Sequence, residues 1–421
     1  MNKYFLKSFG CQMNSADSEF ITNLLAARGF AQTETAQNAE VIIVNTCTVR
    51  EKAENKALAQ IKEYAALKKK GALLWVIGCA AERMGDGLYK KIPKISKVIG
   101  ATEIEFIEEK IDGYLSTLGT FEPALQNIRS QWSALLPITR GCDNFCTYCI
   151  VPYVRGREHS VKSADILTQA QKIIDGGASE IVLLGQNVNS YRDENTDFAD
   201  LLSKVALTPN LKRLRFMTSH PKDISRKLVE TIAETPNVCK HIHLPVQAGS
   251  SEVLEKMNRK YTREEYLDKI AMIRELIPDC DITTDAMAGF PGETEAQFEE
   301  TLSLFEELRF LNAFTFAYSP REGTAAAKEK DQIPAKERSA RLAKLVKLQN
   351  SIVKDIYSTM VGREFEVFFT MEQSKKGAHS WLGQDMGAKR ILVDSDEDLG
   401  GKTTMVKIIK SSGMTLVGEL L

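Results

Sequence analysis

Thr139-Arg-Gly-Cys-Asp-Asn-Phe-Cys-Thr-Tyr-Cys149 is the stretch around which this chain is organised. It places Cys142, Cys146 and Cys149 in a CxxxCxxC spacing, directly after the short apolar run Ala134–Ile138. Three thiolates on so short a loop can each bind one iron of a cubic iron–sulfur cluster. The fourth iron then has no protein ligand, and a small molecule can chelate it. The spacing therefore predicts a 4Fe-4S cluster with one open coordination position.

Two other uses of these cysteines fit the sequence less well. Structural zinc takes four closed ligands, which usually come as two CxxC-type pairs, and the sequence contains no second pair. A disulfide would leave one of the three thiols over, and the reducing cytosol disfavours it. An iron–sulfur cluster remains the preferred interpretation.

Length and charge limit the possible functions. The chain has 421 residues, which predicts two or three domains with ample material for a buried core. Its 55 Lys and Arg residues nearly balance its 56 Asp and Glu residues. Because the chain lacks an overall positive field, any RNA contact has to come from local patches. The start of the chain lacks a signal-peptide core, and no apolar run approaches a membrane span, so we expect a cytoplasmic protein without membrane contact.

The first hundred residues alternate between strand and helix patterns. Tyr4–Phe9, Val41–Asn45 and Leu73–Gly78 are short apolar strands, separated by the helical runs Ser15–Arg28 and Val49–Lys70. Strands with near-continuous apolar residues in this order are typical of a parallel sheet that is buried on both faces. The pattern predicts an open, doubly wound α/β sheet of the flavodoxin-like type.

Three further cysteines follow the three predicted strands. Cys11, Cys47 and Cys79 each stand at a strand's carboxyl end. Ligands of such sheets bind outside the carboxyl ends of the strands, so the three thiols should meet in one crevice. A single buried cysteine is often only a small apolar side chain, but three at equivalent strand ends favour a second three-thiolate cluster with an open iron.

From residue 134 onward the strand–helix alternation repeats six times. Six strands are too few to close an eight-stranded barrel, so the pattern predicts a partial (β/α)6 barrel that is open on one side. Its site should lie where the carboxyl ends of the strands and their polar loops gather. The predicted strands are Ala134–Ile138, Ile181–Leu184, Leu211–Met217, His241–Val246, Ile282–Met287 and Phe314–Tyr318.

The remaining segments complete the predicted organisation. Gly119–Ser133 is typical of a linker. Pro334–Ile356 is a basic helix whose charges are by default a solvated face, with RNA contact as the alternative. Short alternating strands separated by glycines follow from Gly362 and predict a small antiparallel β-barrel, a common nucleic-acid-binding shape. The predicted strands of this barrel are Glu364–Phe369, Arg390–Val393, Thr404–Ile409 and Leu416–Leu420.

Over its whole length the chain resembles the methylthiotransferase family of radical S-adenosylmethionine enzymes. Gly10-Cys-Gln-Met-Asn14, Val151-Pro-Tyr153 and Leu184-Gly-Gln-Asn-Val-Asn-Ser-Tyr191 resemble the MiaB-type tRNA enzymes of that family. The resemblance implies an N-terminal methylthiotransferase domain (residues 1–120), a radical S-adenosylmethionine core (134–357) and a TRAM RNA-binding domain (358–421).

The resemblance also implies a reaction. Isopentenyladenosine beside the tRNA anticodon would receive a methylthio group in place of the hydrogen on carbon 2. That carbon–hydrogen bond is neither acidic nor electrophilic, so the reaction requires a radical from a cofactor. The cluster on Cys142, Cys146 and Cys149 would bind and reduce S-adenosylmethionine, giving the 5′-deoxyadenosyl radical. The cluster on the other three cysteines would hold the sulfur, methylated by a second S-adenosylmethionine.

Six residues of the barrel region are candidates for direct contacts with S-adenosylmethionine or with the substrate. Arg155 and Arg321 are candidates for contacts with a substrate phosphate or with the sulfonium side of S-adenosylmethionine, although surface arginines are equally common. Ordinary loop capping is the alternative for the four candidate ligands of S-adenosylmethionine. These four are Gln186, Ser219, Gln247 and Asp285.

Five other residues are assigned lesser roles. His220, His241 and His243 sit at strand ends, where we expect packing rather than metal binding, because thiolates already provide the ligands. Cys239 and Cys280 fit neither cysteine set, and we expect both to be inert.

The predicted partners follow from the resemblance. They are a tRNA anticodon stem-loop, whose unpaired bases can be splayed into a site, and an electron donor such as flavodoxin; a monomer is expected. One alternative keeps the chemistry but acts on threonylcarbamoyladenosine in tRNA or on a ribosomal-protein aspartate. A second alternative is a non-catalytic iron–sulfur protein that binds RNA or carries sulfur.

Overall fold

The computed structural model describes residues 2–49, 51–118, 132–373 and 379–421. These residues form two compact units. The first contains the described residues up to 118 together with Arg140–Phe145 and Cys149–His159. The second contains residues 132–139, Cys146–Tyr148 and the described residues from Ser160 onward. Most of the predicted linker, residues 119–131, lies outside the described residues.

The first unit is built on a five-stranded parallel sheet with the strand order β2-β1-β3-β4-β5. Alternate residues of β3 point to opposite faces: Ile42 and Val44 pack with α2 on one face, and Val41 and Ile43 pack with α1 and α5 on the other. Burial on both faces explains why this strand has no polar alternation. The elements are β1 Lys3–Ser8, α1 Gln12–Ala26, β2 Ala31–Gln32, β3 Val41–Thr46, α2 Glu51–Leu67, β4 Leu73–Gly78, α3 Cys79–Met84, α4 Gly87–Lys91, β5 Lys97–Gly100 and α5 Ile107–Leu115.

The second unit contains six successive parallel strands, as the sequence predicts. They form two three-stranded sheets, β12-β9-β6 and β13-β14-β15, and a bridge between Leu214 and Val238 connects β12 to the segment before β13. Among the described residues β6 and β15 do not pair, so the array is open on one side. Between residues 132 and 358 the elements are β6 Ser133–Pro137, β7 Thr139–Arg140, α6 Val151–Arg155, β8 His159–Ser160, α7 Ser163–Asp175, β9 Glu180–Leu184, β10 Arg192–Asp193, β11 Thr196–Asp197, α8 Phe198–Ala206, β12 Arg213–Phe216, α9 Arg226–Glu234, β13 His241–His243, α10 Ser251–Lys256, α11 Arg263–Leu276, β14 Asp281–Ala288, α12 Glu295–Leu308, β15 Asn312–Ala317 and α13 Ala335–Ser358.

A small closed barrel completes the second unit, with the strand order β16-β17-β18-β20-β19. Val367, Phe369 and Val406 fill its interior, and Val353 of α13 packs against them. The prediction of a purely antiparallel barrel is wrong at one pairing, because β18 and β20 run parallel. The strands are β16 Glu364–Glu372, β17 Ser380–Gln384, β18 Arg390–Asp394, β19 Thr403–Ser412 and β20 Thr415–Leu420.

A buried charged cluster joins this small barrel to the parallel strands of the same unit. Glu180 accepts hydrogen bonds from Arg213 at 3.2 Å and from Arg215 at 2.8 Å. Both arginines also donate to the backbone carbonyl of Asp385 in the barrel. Two buried cations on one buried carboxylate are stable only while every partner is present.

No helix within the described ranges combines the length and hydropathy that crossing a bilayer requires.

Candidate functional site

The structure brings Cys11, Cys47 and Cys79 to one edge of the N-terminal sheet. Cys11 lies between β1 and α1, Cys47 directly follows β3, and Cys79 is the first residue of α3 after β4. Since β1, β3 and β4 are neighbours in the sheet, their carboxyl ends converge. Cys47 and Cys79 are buried, whereas Cys11 is exposed. The three thiols therefore form a site that is open to solvent on the Cys11 side.

Two glycines allow the backbone next to Cys11 and Cys79 to pass close to Cys47 and Asn45. Gly10 has a φ of +124°, and a Cβ placed there would lie 2.4 Å from the Cβ and 3.0 Å from the Sγ of Cys47. Gly78 has a φ of +93°, and its Cβ would lie 2.5 Å from Oδ1 of Asn45. Only glycine adopts such positions without strain. The pairs Gly10-Cys11 and Gly78-Cys79 therefore combine a predicted ligand with the turn that positions it.

The three thiols influence one another electrostatically. Burial raises the pKa of Cys79 to about 12; the charge of Arg155 opposes this, and the thiolates of Cys47 and Cys11 raise the pKa further. Three thiolates placed so close together would repel one another and would need bound cations to be stable. Within the described residues, no three His, Cys, Asp or Glu side chains form a group that could hold a metal ion. In a 4Fe-4S cluster each thiolate binds a different iron, so the three sulfurs need not converge on one point, and three cysteines at one sheet edge fit that donor set.

The CxxxCxxC loop contributes to both units. In the first unit, the Cys142 backbone N–H donates to the carbonyl of Gly156 at 3.2 Å, and Nδ2 of Asn144 donates to the Cys142 sulfur at 3.4 Å. In the second unit, the backbone N–H of Thr147 donates to Met257 O at 3.1 Å. Backbone hydrogen bonds therefore hold the loop in place within each unit, through Cys142 in the first unit and through Thr147 in the second.

Arg259 lies beside the middle cysteine of the loop. Its Nη1 donates to the Cys146 sulfur at 3.4 Å, its Nη2 donates to Pro245 O at 2.9 Å, and its Nε donates to the Tyr261 hydroxyl at 3.0 Å. The guanidinium is buried and can stabilise a thiolate at Cys146. Arg259 was not predicted, because nothing in Asn258-Arg259-Lys260 distinguishes it from a surface arginine.

Three of the four predicted ligands of S-adenosylmethionine follow parallel strands of the second unit, and the fourth, Asp285, lies within β14. Considering the described residues only, buried oxygens of Gln186, Ser219 and Gln247 have no hydrogen-bond partner. Asp285 Oδ1 lies 3.3 Å from Nε2 of His243. Gln247 also has a left-handed backbone with a φ of 73°, and such strain is concentrated at functional sites. Unsatisfied buried oxygens are costly, so this set fits a polar ligand that supplies N–H and O–H donors.

The three histidines for which a packing role is predicted differ in their surroundings. His241 and His243 both contact Oγ1 of Thr283, at 2.8 Å and 2.9 Å. Nδ1 of His220 accepts from the backbone N–H of Lys222, so Nε2 carries the proton of the neutral ring. Burial lowers the pKa of His220 to about 2, and the charges of Arg259 and Lys222 add to this effect. His220 therefore stays neutral and presents an N–H group, a role that differs from the packing role predicted for it.

The two predicted arginines are placed differently. Arg321 is half-buried in the loop after β15. Arg155 is only 6 % exposed, and its guanidinium donates to the Cys79 sulfur at 3.2 Å and to Asp17 at 3.1 Å. This placement favours a role at the three-cysteine site over the predicted phosphate contact.

The remaining cysteines lie apart from these sites by sequence and packing. Cys239 is buried with its sulfur 4.0 Å from Sδ of Met386, and burial raises its pKa. Cys280 is partly buried, and burial raises its pKa to about 12. Protonated thiols react slowly, and that both cysteines are inert remains a prediction.

Comparisons with known proteins assign the class. The model of the Radical SAM superfamily matches residues 136–305, and the model described as Uncharacterized protein family UPF0004 matches residues 3–100. A solved structure, the radical S-adenosylmethionine methyltransferase TsrM from Kitasatospora setae, matches with a TM-score of 0.57 at 14% identity, covering 78% of this chain and 74% of that chain. That likeness concerns the fold. The parallel strands and the cysteine loop thus define a radical S-adenosylmethionine protein.

Sequence relatives define the family within that class. The chain is 41% identical over 437 residues to the tRNA-2-methylthio-N(6)-dimethylallyladenosine synthase of Clostridium botulinum (strain Loch Maree / Type A3), covering 100% of this chain and 97% of that protein. The protein of the same name from Chloroherpeton thalassium is 40% identical over 434 residues, covering 100% and 96%. The chain therefore belongs to the tRNA-2-methylthio-N(6)-dimethylallyladenosine synthase family.

Proposed function

We propose that this protein is a radical S-adenosylmethionine methylthiotransferase that converts isopentenyladenosine (dimethylallyladenosine) next to the tRNA anticodon to its 2-methylthio derivative. The observation that carries the proposal is identity of 41% across 100% of the chain to a protein with that name. The chemistry agrees with it, because replacing an unreactive carbon–hydrogen bond needs both a radical source and a sulfur source.

The two cysteine sets would provide these two sources. Cys142, Cys146 and Cys149 would hold one 4Fe-4S cluster, and Cys11, Cys47 and Cys79 would hold the second. When bound, a cluster with an open iron supplies a coordination position and electrons for S-adenosylmethionine or for sulfur. This chain's own residues set the surroundings: Arg259 donates to the sulfur of Cys146, and the exposure of Cys11 leaves the second site accessible to reactants.

Gln186, Ser219, Gln247 and Asp285 would bind S-adenosylmethionine. The unpaired oxygens of the two glutamines can accept hydrogen bonds from an ammonium group or from ribose hydroxyls. The Asp285 carboxylate can accept from a charged amine, which is a stronger bond than one between neutral groups. Together these contacts would orient the cosubstrate and exclude water from the barrel end.

The finer domain assignments are part of the same proposal. The strand order of the first sheet is that of flavodoxin-like folds, which agrees with a methylthiotransferase domain over residues 1–120. Residues 134–357 would form the radical S-adenosylmethionine core, and the closed five-stranded barrel in residues 358–421 would be the TRAM domain that binds RNA. Arg321 remains a candidate for substrate phosphate. We expect a cytoplasmic monomer that acts on a tRNA anticodon stem-loop and receives electrons from a donor such as flavodoxin.

Anaerobic reconstitution tests the proposal. The purified protein with iron, sulfide, a reductant and S-adenosylmethionine is incubated with tRNA that contains isopentenyladenosine, and the digested nucleosides are analysed by mass spectrometry. We expect 2-methylthio-isopentenyladenosine and release of 5′-deoxyadenosine. Cys47→Ala and Cys146→Ala should abolish the product, whereas Cys239→Ala should retain it as the matched control. Modification of threonylcarbamoyladenosine instead, or no 5′-deoxyadenosine at all, would contradict the proposal.

A further inference from the structure

Arg155 is built into the three-cysteine site although it lies far from those cysteines in sequence. It ends the short helix α6, six positions after Cys149, within a segment that belongs to the first unit. Ile150 and Val154 of this segment pack in one buried apolar cluster with Cys79. The segment therefore places the guanidinium directly against a predicted cluster ligand.

The contacts of the guanidinium are specific. Nε of Arg155 donates to the Cys79 sulfur at 3.2 Å, while Nη2 donates to Oδ1 of Asn14 at 3.3 Å. The same Asn14 oxygen accepts from the Cys11 thiol at 3.3 Å. Arg155 thus contacts one cysteine of the set directly and a second through one asparagine, a geometry that the fixed fork of a guanidinium can satisfy.

Arg155 shares its carboxylate with a second arginine. Asp17 is fully buried, and its carboxylate accepts from Arg155 at 3.1 Å and from Arg140 at 2.8 Å. Arg140 has a further carboxylate partner, because its Nε lies 3.9 Å from Glu105. Arg155 is the one of the two arginines that also donates to a cysteine sulfur, so its positive charge acts directly on an anion bound at Cys79.

We propose that Arg155 is a positioning residue for the cluster on Cys11, Cys47 and Cys79, which it contacts through the Cys79 sulfur and whose reduced state its charge stabilises. Three thiolates outweigh the charge of the oxidised iron–sulfide core, and accepting one electron makes the cluster more negative still. A fixed cation and a hydrogen bond to sulfur both favour the more negative state, and these are known determinants of cluster potential. The inference rests on the second cluster of the proposed function.

A redox titration of the isolated second cluster tests this role. The full-length variant Cys142→Ala/Cys146→Ala/Cys149→Ala removes the first set of ligands, so any cluster left belongs to the other three cysteines. Reduction with dithionite, which supplies one electron per cluster, is followed by electron paramagnetic resonance at defined potentials. In this background we compare Arg155→Met and Arg155→Lys with Arg157→Met. Arg157 lies on the same segment with a 75% exposed side chain and pairs with Asp143 at 2.9 Å.

The expected shifts have definite signs. Arg155→Met should weaken the preference for the reduced state at least tenfold, which corresponds to about 59 mV for one electron. Arg155→Lys keeps a charge but cannot contact Cys79 and Asp17 with one planar group, so a smaller fall is expected. Arg157→Met should leave the potential unchanged. Asp17→Asn removes the opposing charge and should raise the potential while Arg155 stays in place.

The outcomes separate the inference from the proposed function. If the triple-cysteine variant binds no iron, the second cluster does not exist and the proposed function fails. If it binds iron but Arg155→Met leaves the potential unchanged, the role of Arg155 is refuted while the proposed function stands. Should Arg155→Met fail to fold, Asp17→Asn decides, because an unchanged or lowered potential in that variant overturns the inference.

Discussion

Gly10→Ala should crowd the three-cysteine site and destabilise the unit that contains it. A Cβ at position 10 would lie 2.4 Å from the Cβ of Cys47, and the backbone has a φ of +124°. Holding a non-glycine residue in such a conformation costs about 1–3 kcal/mol, and forcing an extra carbon into a packed site costs about 1–3 kcal/mol. We therefore expect the first unit to lose roughly 2–6 kcal/mol of stability.

Substitutions at two other glycines of the same unit separate the cost of backbone strain from the cost of the steric clash. Gly71 has a φ of +83°, but a Cβ there would meet no atom within 4 Å, so Gly71→Ala should cost only the backbone strain of about 1–3 kcal/mol. Gly113 lies inside α5 in open space, and Gly113→Ala should stabilise the unit by about 0.5–1 kcal/mol, because alanine is the better helix former.

Native-state hydrogen exchange of the buried β3 amides measures these differences locally. Anaerobic, metal-free protein is used, so that the loss of bound iron does not add to the change. We expect Gly10→Ala to reduce protection more than Gly71→Ala does, and Gly113→Ala to increase it. Equal effects of Gly10→Ala and Gly71→Ala would refute the close contact between residue 10 and Cys47.

Two further predictions concern the second unit. Glu180→Gln leaves the buried guanidinium groups of Arg213 and Arg215 without their carboxylate, so it should destabilise the unit by about 3–5 kcal/mol in denaturant unfolding. The exposed control Glu230→Gln should have no measurable effect. Equal unfolding midpoints for the two variants would be inconsistent with the buried cluster. His220 has a pKa lowered from 6.5 to about 2, so the unfolded chain takes up a proton below about pH 6.5 that the folded protein does not. Stability should therefore fall by about 1.4 kcal/mol for each pH unit below that value, and unfolding curves of His220→Gln should lack this component; an unaltered pH slope would mean that the ring is protonated in the folded protein.

The sequence predicted those parts of the fold that depend on long apolar strands. Val41-Ile-Ile-Val44 is buried on both faces, so its composition alone identifies a central parallel strand. Ala31–Gln32 and Lys97–Gly100 are too short to show any periodicity, and both strands were missed. Ser380–Gln384 was also missed, because only two of its residues, Trp381 and Leu382, are large and apolar. The parallel pairing of β18 with β20 depends on how the barrel closes, which local patterns do not encode.

Some residues of the candidate site could be predicted from the sequence, and others could not. Cysteine spacing and strand ends are visible in the sequence, so both sets of thiols could be predicted by residue number. The contacts of Arg155 and Arg259 could not. Arg155 meets Asp17 across 138 positions of chain, and Arg259 meets Cys146 across 113. Such contacts exist only after folding, and a buried arginine has no local pattern that separates it from an exposed one.

The iron content of the anaerobically reconstituted protein tests most directly whether two sets of thiols each bind a cluster. We expect about eight iron atoms per wild-type chain and roughly four in either Cys47→Ala or Cys146→Ala, because each substitution removes one cluster. Cys239→Ala should match the wild type. A wild-type chain with only about four iron atoms, or a Cys47→Ala variant with as many as the wild type, would contradict the account.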